Sequence, residues 1–312
     1  MSDLKEKVDL ALDRLKFYEG ILHSNSYYLA FSGGKDSCVV KWLMEMAGVK
    51  YDAHYRVTTV DPPELVQFIK QHHSDVEFDV PKYGQRRGPE WEGKPITMWN
   101  LIPWKLMPPT RIVRYCCDYL KESGGDGRLT VTGVRWAESV NRSKKQGIVT
   151  LRGEAVQKEV ADNPYFRLTG NRGAVLVNDN TDQRQLLDAC VTRHKTCLNP
   201  IIDWTDDNVW EFIRAENIPI CGLYYEGFHR LGCIGCPMAS KRERTMGFAR
   251  WPKYKAQYIR TFGKMLDERV RRGKVVGTWG GNEGPVGVFN WWMGNDVIPG
   301  QEMLEEFWEE ML

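Results

Sequence analysis

The chain has 312 residues, 42% of them hydrophobic and 27% charged, with a formal net charge of +2. This balance is typical of a folded globular protein, and it neither favours nor excludes a nucleic-acid partner, because a binding face can be local. Residues 1–17 carry charges throughout and no run of about 18 apolar residues occurs, so we expect a cytoplasmic protein without a signal or membrane-spanning segment.

The first part of the sequence alternates between helical and β-prone patterns. Apolar residues at helical spacing predict a helix over 3–23, and a short apolar run predicts the first strand over 26–31. The patterns that follow predict helices over 38–46, 64–72 and 111–121, strands over 51–60, 76–80 and 129–134, and a long irregular loop over 82–110. Strands that alternate with helices predict a Rossmann-like, doubly wound α/β fold with a mainly parallel sheet.

The second part of the sequence breaks this rhythm. Residues 146–196 are rich in glycine and polar residues, which predicts an insertion with a hairpin. The patterns then predict a helix over 205–214, a compact cysteine-bearing segment over 221–250, a basic helix over 254–271, a loop-rich stretch over 273–300 and an acidic helix over 301–311. We therefore expect an α/β domain over 1–220 and a cysteine-bearing helical extension over 221–312.

Six residues directly after the first predicted strand have the pattern of a phosphate-binding loop. They are Ser32, Gly33, Gly34, Lys35, Asp36 and Ser37. The glycines let backbone N–H groups approach an anion, and the helix that follows presents its unpaired N–H groups and positive dipole end to the same place. The serines add hydroxyl donors and the lysine adds a cation, whereas the spacing differs from that of the GxxxxGK[ST] loop.

The string SGGKDS resembles the pyrophosphate-binding loop of ATP pyrophosphatases and of the phosphoadenosine-phosphosulfate (PAPS) reductase family. Further segments resemble the same family in the same order: 132–135 with Glu138, Ser139 and Arg142, then 199–205 with Val209 and Trp210, then Cys233 and Cys236. The resemblance covers roughly residues 24–240. It implies an adenine nucleotide α-hydrolase-like fold that binds ATP with Mg²⁺.

The resemblance also implies roles for single residues. The expected nucleotide-binding residues are Ser32, Gly33, Gly34, Lys35, Asp36, Ser37, Asp61, Gly133, Arg135 and Arg142, and the expected catalytic residues are Lys35, Asp36 and Arg135. Guanidinium groups bind phosphate oxygens bidentately, which suits both arginines, although surface salt bridging is an alternative for each. Asp61 ends the second predicted strand, where the family binds ribose or adenine, and a turn cap is its alternative.

Eight cysteines in a reducing compartment favour metal binding over disulfides. Cys233 and Cys236 form a CxxC pair, so a four-thiolate site needs two more ligands from Cys116, Cys117 and Cys197. The adjacent cysteines and the CxxC pair resemble the [4Fe–4S] ligands of APS reductases in this family. In DndC-like relatives the ligand set need not include both adjacent cysteines, so Cys116 and Cys197 are rivals. Structural zinc and a redox disulfide are the alternatives to a cluster.

Two reaction classes are open on such a scaffold. In ATP pyrophosphatases an acceptor is adenylated with release of pyrophosphate, and sulfur from a donor such as a cysteine desulfurase then replaces AMP. In sulfonucleotide reductases a cysteine in the C-terminal tail attacks sulfur, and no cysteine follows Cys236 in this sequence. We therefore expect a DndC-like sulfur-transfer enzyme. The alternatives are a PAPS or APS reductase that uses an external thiol, and a nucleotide-binding accessory module of a defence or mobile-element system.

A basic segment favours DNA or RNA as the acceptor. Its cations are Lys241, Arg242, Arg244, Arg250, Lys253, Lys255, Arg260, Lys264, Arg269, Arg271, Arg272 and Lys274. Trp251, Tyr254 and Tyr258 lie among them and are expected to stack on bases. A solvated basic helix is the alternative, and the sequence does not indicate an oligomeric state.

Overall fold

The computed structural model describes residues 2–21, 26–125, 127–152, 156, 166–169, 173–177, 179, 195–274 and 284–294. The strands are β1 Tyr27–Ala30, β2 Tyr51–Arg56, β3 Glu77–Asp79, β4 Thr130–Val131, β5 Val149–Arg152, β6 Phe166–Thr169, β7 Gly173–Leu176 and β8 Lys195–Leu198. The helices are α1 Ser2–Ile21, α2 Lys35–Ala47, α3 Pro63–His72, α4 Met98–Lys105, α5 Tyr115–Leu120, α6 Val140–Lys145, α7 Asp206–Ala215, α8 Lys241–Arg250, α9 Pro252–Arg271 and α10 Gly284–Met293. Within these ranges no helix is both long enough and apolar enough to cross a lipid bilayer.

The chain forms two compact units. The sheet unit comprises residues 1–56, 63–79 and 123–231, and it contains every strand named above. The helical unit comprises residues 57–62, 80–122 and 232–312. Residues 57–62 directly follow β2, so the chain passes from the sheet into the helical unit at the end of that strand. The expected division into domains over 1–220 and 221–312 stays a prediction.

The sheet is mixed and mostly parallel. Its strand order is β3-β2-β1-β4-β8-β5-β7-β6, and the first five strands in that order run parallel to one another. The remaining three pair antiparallel, and β6 with β7 forms the hairpin expected within residues 146–196. The predicted mainly parallel α/β fold is therefore confirmed, and the insertion extends the same sheet.

The strand order changes direction next to β1. From β1 the chain moves outward through β2 to β3, and it then returns to place β4 on the other side of β1. The loops that leave β1 and β4 diverge at such a switch point and leave a crevice outside the carboxyl ends of the strands, where ligands bind in open α/β sheets. The phosphate-loop motif directly follows β1 and therefore borders this crevice.

Two helices form where the sequence predicted loops. Helix α4 lies within the expected loop 82–110, because Thr97 and Asn100 make a capping box and the helix buries Leu101 and Ile102. The prolines and tryptophans around it hid this helical pattern. Helix α10 lies within the loop-rich stretch 273–300, and the acidic helix expected over 301–311 lies outside the described residues.

Arg14 of α1 anchors the segment that follows β8. Its side chain is 2% exposed, and Nη1 donates to the Pro200 carbonyl at 2.7 Å and to Asp203 Oδ1 at 2.9 Å. Nη2 donates to Asp179 Oδ2 at 2.6 Å. Burial acts to lower the pKa of Arg14, but the two carboxylates outweigh it and raise the pKa. A permanent buried cation thus fixes the start of segment 199–205, which has the sequence NPIIDWT, against α1.

Replacing Arg14 with alanine should lower the free energy of unfolding by about 3–5 kcal/mol, because both carboxylates lose their buried partner. Urea denaturation followed by circular dichroism measures this change. The exposed residue Lys5 on the same helix provides the control, and Lys5→Ala should stay within about 0.5 kcal/mol of the parent chain. Equal stability of the two variants would show that Arg14 is not an anchor.

Candidate functional site

Three loops lie at the carboxyl ends of neighbouring parallel strands in the sheet unit. Residues 32–37 follow β1, residues 132–135 follow β4, and residues 199–206 follow β8. The second and third loops are joined by a hydrogen bond from the Trp136 N–H to the Ile202 carbonyl at 2.8 Å. The three sequence segments that resemble one family therefore meet at one end of the sheet.

The loop 32–37 has the local geometry that binding of an anion requires. Gly33 has a φ of 72°, which favours glycine, and a Cβ there would lie 2.7 Å from a side chain of α3. Gly34 is the N-cap of α2, which begins at Lys35. Ser37 Oγ donates to the Gly34 carbonyl at 2.8 Å and lies 3.2 Å from Ser32 Oγ. The loop thus places the N-terminus of α2, with its positive dipole end, directly after β1.

Gly133 lets the turn after β4 approach α2 closely. A Cβ on Gly133 would lie 2.9 Å from the backbone carbonyl carbon of Asp36 and 3.0 Å from its Cβ. Any larger residue would overlap with the packed helix backbone, which cannot shift as a flexible side chain can. Close packing against the phosphate loop therefore explains why a glycine occupies position 133 in the turn 132–135.

Four charged side chains join the three loops, and we call them the charge cluster. Arg135 donates from Nε to Asp36 Oδ1 at 2.7 Å and from Nη2 to Asp206 Oδ1 at 2.6 Å. Lys35 Nζ lies 3.3 Å from Asp36 Oδ2 and 3.2 Å from Asp206 Oδ1. The cluster contains two cations and two carboxylates, so its formal charge is zero.

Burial differs within the charge cluster. Arg135 is 1% exposed, whereas the side chain of Asp206 is 69% exposed. Burial acts to lower the pKa of Arg135, but Asp36 and Asp206 outweigh it and raise the pKa. Burial acts to raise the pKa of Asp206, but Arg135 and Lys35 outweigh it and lower the pKa. Arg135 and Asp206 are therefore both charged at neutral pH.

Sequence reasoning did not identify two residues of this site. Asp206 was expected only as a residue that starts a helix, although an acidic residue directly after the NPIIDWT segment was a usable signal. Tyr224 accepts a hydrogen bond at its hydroxyl oxygen from the Lys35 N–H at 2.8 Å, and its ring packs against Trp210. No sequence signal indicates Tyr224, because this contact depends on the folded chain.

Arg142 and Asp61, two predicted nucleotide ligands, have local partners. Arg142 Nη1 donates to Glu138 Oε1 at 2.6 Å, and the same oxygen accepts the Arg135 N–H at 3.1 Å, so Arg142 is tied to the turn after β4. Asp61 belongs to the helical unit, where its Oδ2 accepts the Thr58 N–H at 3.0 Å. Their roles in nucleotide binding stay predictions.

Four of the five predicted metal ligands belong to the helical unit. Cys116 and Cys117 lie at the start of α5, and Cys233 and Cys236 lie in a turn closed by a 3.1 Å hydrogen bond from the Cys236 N–H to the Cys233 carbonyl. Contact with Cys117 raises the pKa of Cys116, and charge on Cys233 and Cys236 raises it further. The CxxC pair therefore lies within electrostatic reach of Cys116.

Cys197, the fifth predicted ligand, lies in the sheet unit. It is buried in β8, where it stands opposite Thr130 of β4 and Thr150 of β5. The structure thus brings together the adjacent pair and the CxxC pair, and it assigns Cys197 to a central strand.

Cations accompany the four cysteines. Arg114 Nη2 donates to Cys117 Sγ at 3.4 Å, and the pKa of Lys121 is raised, first of all by charge on Cys233. Arg244 is 8% exposed, and its Nε and Nη2 have no hydrogen-bond partner among the described residues. Burial lowers the pKa of Arg244 to about 10, while charge on Cys236 acts to raise it. Arg244 Nη1 donates to the Trp292 carbonyl at 2.8 Å, and its guanidinium lies 4.2 Å from the centroid of the Trp292 ring.

The CxxC turn packs on the segment that follows β2. The Ile234 N–H donates to the Val60 carbonyl at 2.7 Å, and Cys233 Sγ lies 3.5 Å from Thr58 Oγ1. Tyr258 of α9 donates from its hydroxyl to the Ile234 carbonyl at 3.0 Å. The position of the CxxC turn is therefore fixed by backbone contacts that its own sequence does not reveal.

The basic segment is only partly exposed to solvent. Ten of its twelve cations are exposed, whereas Arg244 and Arg269 are buried. Trp251 and Tyr258 are buried as well, so the prediction that they stack on bases is wrong, because both rings pack in the helical unit. Arg271 and Arg272, two of the exposed cations, pair with Glu268.

Comparison with known proteins identifies related sequences. The phosphoadenosine phosphosulfate reductase domain family matches residues 26–239. An adenosine 5'-phosphosulfate reductase of Neisseria meningitidis is 40% identical over 53 residues, which are 17% of this chain and 22% of the relative. An uncharacterized protein of Methanocaldococcus jannaschii is 24% identical over 278 residues, which are 86% of this chain and 53% of the relative. The chain thus spans between about a fifth and about half of the length of such relatives.

Solved structures share a general likeness with the chain. An FMN adenylyltransferase of Candida glabrata, in complex with FMN and an ATP analogue, has a TM-score of 0.42 and 14% identity over 75% of this chain and 64% of that protein. A PAPS reductase of Candida auris, in complex with phosphate, has a TM-score of 0.39 and 12% identity over 74% of this chain and 91% of that protein. At these scores the likeness adds nothing to what the strand order shows.

Replacing Gly133 with alanine should lower the free energy of unfolding by about 1–3 kcal/mol, because the added methyl group overlaps with the backbone of Asp36. Gly222 provides a matched control, because a Cβ there would meet no atom within 4 Å. Chemical denaturation of both variants measures the difference. A Gly133→Ala variant as stable as Gly222→Ala would contradict the close approach.

Proposed function

Because the chain belongs to the phosphoadenosine phosphosulfate reductase domain family, we propose that it is an ATP pyrophosphatase that adenylates an acceptor for sulfur transfer. One observation supports the proposal most directly: the loop 32–37 and the charge cluster lie together at the switch point of the sheet. A nucleotide-binding function of the kind found in this family fits that place, and the ATP-specific reaction is the further step that we propose.

The loop 32–37 is proposed to hold the pyrophosphate end of ATP. The N–H groups of the first turn of α2 and the ammonium group of Lys35 supply donors and positive charge at one place, and the Ser37 hydroxyl, which donates to the Gly34 carbonyl, shapes the loop. Anions bind at helix N-termini because the dipole and the unpaired N–H groups act together. The Tyr224 hydroxyl occupies the Lys35 N–H, so an incoming phosphate oxygen must displace this hydroxyl or bind beside it.

The carboxylates of the charge cluster favour a magnesium-bound nucleotide. Asp36 and Asp206 neutralise Lys35 and Arg135, so the cluster offers no net positive charge to the several negative charges of ATP. Carboxylate oxygens are the protein ligands that Mg²⁺ prefers, and Mg²⁺ also binds phosphate oxygens. We propose that Asp36 and Asp206 hold the ion directly or through water, and that Arg135 keeps both carboxylates in place.

The reaction is a substitution at the α-phosphorus of ATP. An acceptor oxygen attacks this phosphorus, the bond between the α-phosphorus and the bridging oxygen breaks, and that oxygen leaves with pyrophosphate. Lys35 and the α2 N–H groups stabilise the charge that develops on the leaving group. A sulfur nucleophile, such as a persulfide supplied by a cysteine desulfurase, then displaces AMP from the acceptor, and a thiol reductant cleaves the resulting disulfide to leave the sulfur on the acceptor.

A [4Fe–4S] cluster is proposed on Cys116, Cys117, Cys233 and Cys236. Four thiolates also suit tetrahedral zinc, and the resemblance of the adjacent pair and the CxxC pair to the ligands of APS reductases favours the cluster. Arg114, Lys121 and Arg244 match the negative charge of a cluster with four thiolate ligands. Such a cluster supplies electrons or sulfide when bound.

We propose a nucleic acid as the acceptor, in the cytoplasm and in the manner of DndC-like enzymes. The support is the row of exposed lysines and arginines on α8 and α9, because nucleic-acid backbones bind through such cations. The second candidate is a sulfonucleotide reductase with an external thiol. It is favoured by the 40% identity of a 53-residue segment to an adenosine 5'-phosphosulfate reductase. Tighter binding of PAPS or APS than of Mg-ATP would favour that candidate.

Changes in the charge cluster should stop pyrophosphate release. Lys35→Ala and Asp206→Asn should each reduce release from Mg-ATP about 100-fold or more, measured with DNA and RNA oligonucleotides as acceptors, because each removes a group that holds the phosphate chain or its ion. Asp207→Asn is the matched control, since this exposed neighbour on α7 has the same chemistry outside the cluster.

Two outcomes would count against the proposal. Normal release by Lys35→Ala would contradict the assigned phosphate site. Binding of Mg-ATP without pyrophosphate release with any acceptor would instead indicate an accessory module that senses nucleotide.

Substitution of single cysteines should show which of them bind the cluster. Anaerobically purified protein should contain about four iron and four sulfide ions per chain, with the broad visible absorbance of an iron–sulfur protein. Cys233→Ser should lose the iron, whereas Cys197→Ser should retain it, because Cys197 is buried in β8 between β4 and β5. Zinc without sulfide in the parent protein, or iron loss in Cys197→Ser alone, would overturn the ligand assignment.

A further inference from the structure

A histidine and two carboxylates face one another on neighbouring strands, apart from the phosphate loop and from the cysteines. His54 lies on β2, and Glu77 and Asp79 lie on the edge strand β3. His54 Nδ1 lies 3.1 Å from Asp79 Oδ2 and 3.8 Å from Glu77 Oε2, and all three ligand atoms lie within 4.8 Å of one another. We propose that these residues bind a divalent transition-metal ion that ties the edge strand to the sheet.

The separations suit coordination of one ion. Two nitrogen or oxygen ligands that are each about 2.1 Å from a metal lie about 3.0–3.5 Å apart at angles between octahedral and tetrahedral values. The pair formed by His54 and Asp79 is within this range. The side chain of Glu77 is 68% exposed, so a small rotation brings its carboxylate to the same distance.

The other ring nitrogen of His54 has the partner that a metal-bound histidine needs. His54 Nε2 lies 2.6 Å from Asp52 Oδ2, and Arg128 holds both oxygens of Asp52 with two hydrogen bonds of 2.6 Å. A metal-ligating imidazole usually donates its second N–H to a carboxylate, which fixes the tautomer and makes the first nitrogen a stronger ligand. In the proposed site Nε2–H donates to Asp52, and Nδ1, which faces Glu77 and Asp79, is the ligand atom.

The ring of His54 is also fixed in orientation. Tyr28 of β1 stacks on it with ring centroids 4.3 Å apart and an interplanar angle of 11°. The Tyr28 hydroxyl donates to Asp79 Oδ2 at 3.2 Å, so one tyrosine positions two of the three ligands. Ligands held by such partners lose little conformational entropy when an ion binds.

The charged groups around the three ligands carry a net negative charge, which favours a bound cation. Asp52, Glu77 and Asp79 carry three negative charges, whereas Arg56 and Arg128 supply two positive ones. With a neutral imidazole the group therefore carries one excess negative charge. An imidazole nitrogen with carboxylate oxygens suits Mn²⁺, Fe²⁺ and Zn²⁺, whereas thiolate sites select softer ions.

The test uses Mn²⁺ as the probe, in the absence of nucleotide, on the full chain with its cysteine site as isolated. Electron paramagnetic resonance should detect one bound Mn²⁺ per chain, with a nitrogen coupling from the His54 imidazole. Glu77→Gln and His54→Gln should each weaken binding at least about 10-fold, and Asp52→Asn should weaken it about 10–100-fold through the orientation of the ring. Glu6→Gln, an exposed carboxylate on α1, should leave binding unchanged.

Glu77→Gln keeps this proposal falsifiable even if changes at His54 disturb folding, because Glu77 is exposed and the substitution preserves its shape. The absence of saturable Mn²⁺ binding, or equal binding in Glu77→Gln and Glu6→Gln, would overturn the proposal. Neither result bears on pyrophosphate release, since the proposed site shares no residue with the charge cluster or the four cysteines.

Discussion

The candidate site depends on the pairing of one buried guanidinium with two carboxylates. Arg135, in the turn after β4, holds Asp36 of α2 and Asp206 of α7, so a single side chain connects the loops that follow three parallel strands. Removing one partner of a buried ion pair typically costs about 3–5 kcal/mol. The phosphate loop therefore cannot move independently of the other two loops, which gives a preorganised place for a nucleotide.

The contacts of Arg135 also bear on its role at the candidate site. Each of the three guanidinium nitrogens of Arg135 donates to a protein acceptor. We propose that Arg135 positions Asp36 and Asp206, and its direct contact with phosphate stays a prediction. Four of the cysteines belong to the helical unit, where backbone contacts with the segment after β2 hold the CxxC turn.

Local signals in the sequence identified much of this arrangement. The glycine loop, the alternation of strands and helices and the CxxC pair are encoded within a few residues each. The sheet confirms the predicted fold and the match over 26–239 confirms the family, whereas phosphate binding and the metal centre stay predictions. The charge cluster could not be predicted from the sequence, because Arg135 pairs with residues that are 99 and 71 positions away in the chain. Tyr224 was missed for the same reason, whereas the helix α4 was missed because prolines and tryptophans obscure its local capping signal.

Hydrogen–deuterium exchange of the backbone amides in residues 33–38, with and without Mg-ATP, tests the central claim most directly. If these amides hold the phosphate chain, saturating Mg-ATP should slow their exchange in the parent chain and much less in an Asp206→Asn variant. Unchanged exchange of this segment at saturating nucleotide, with protection elsewhere in the chain, would contradict the account.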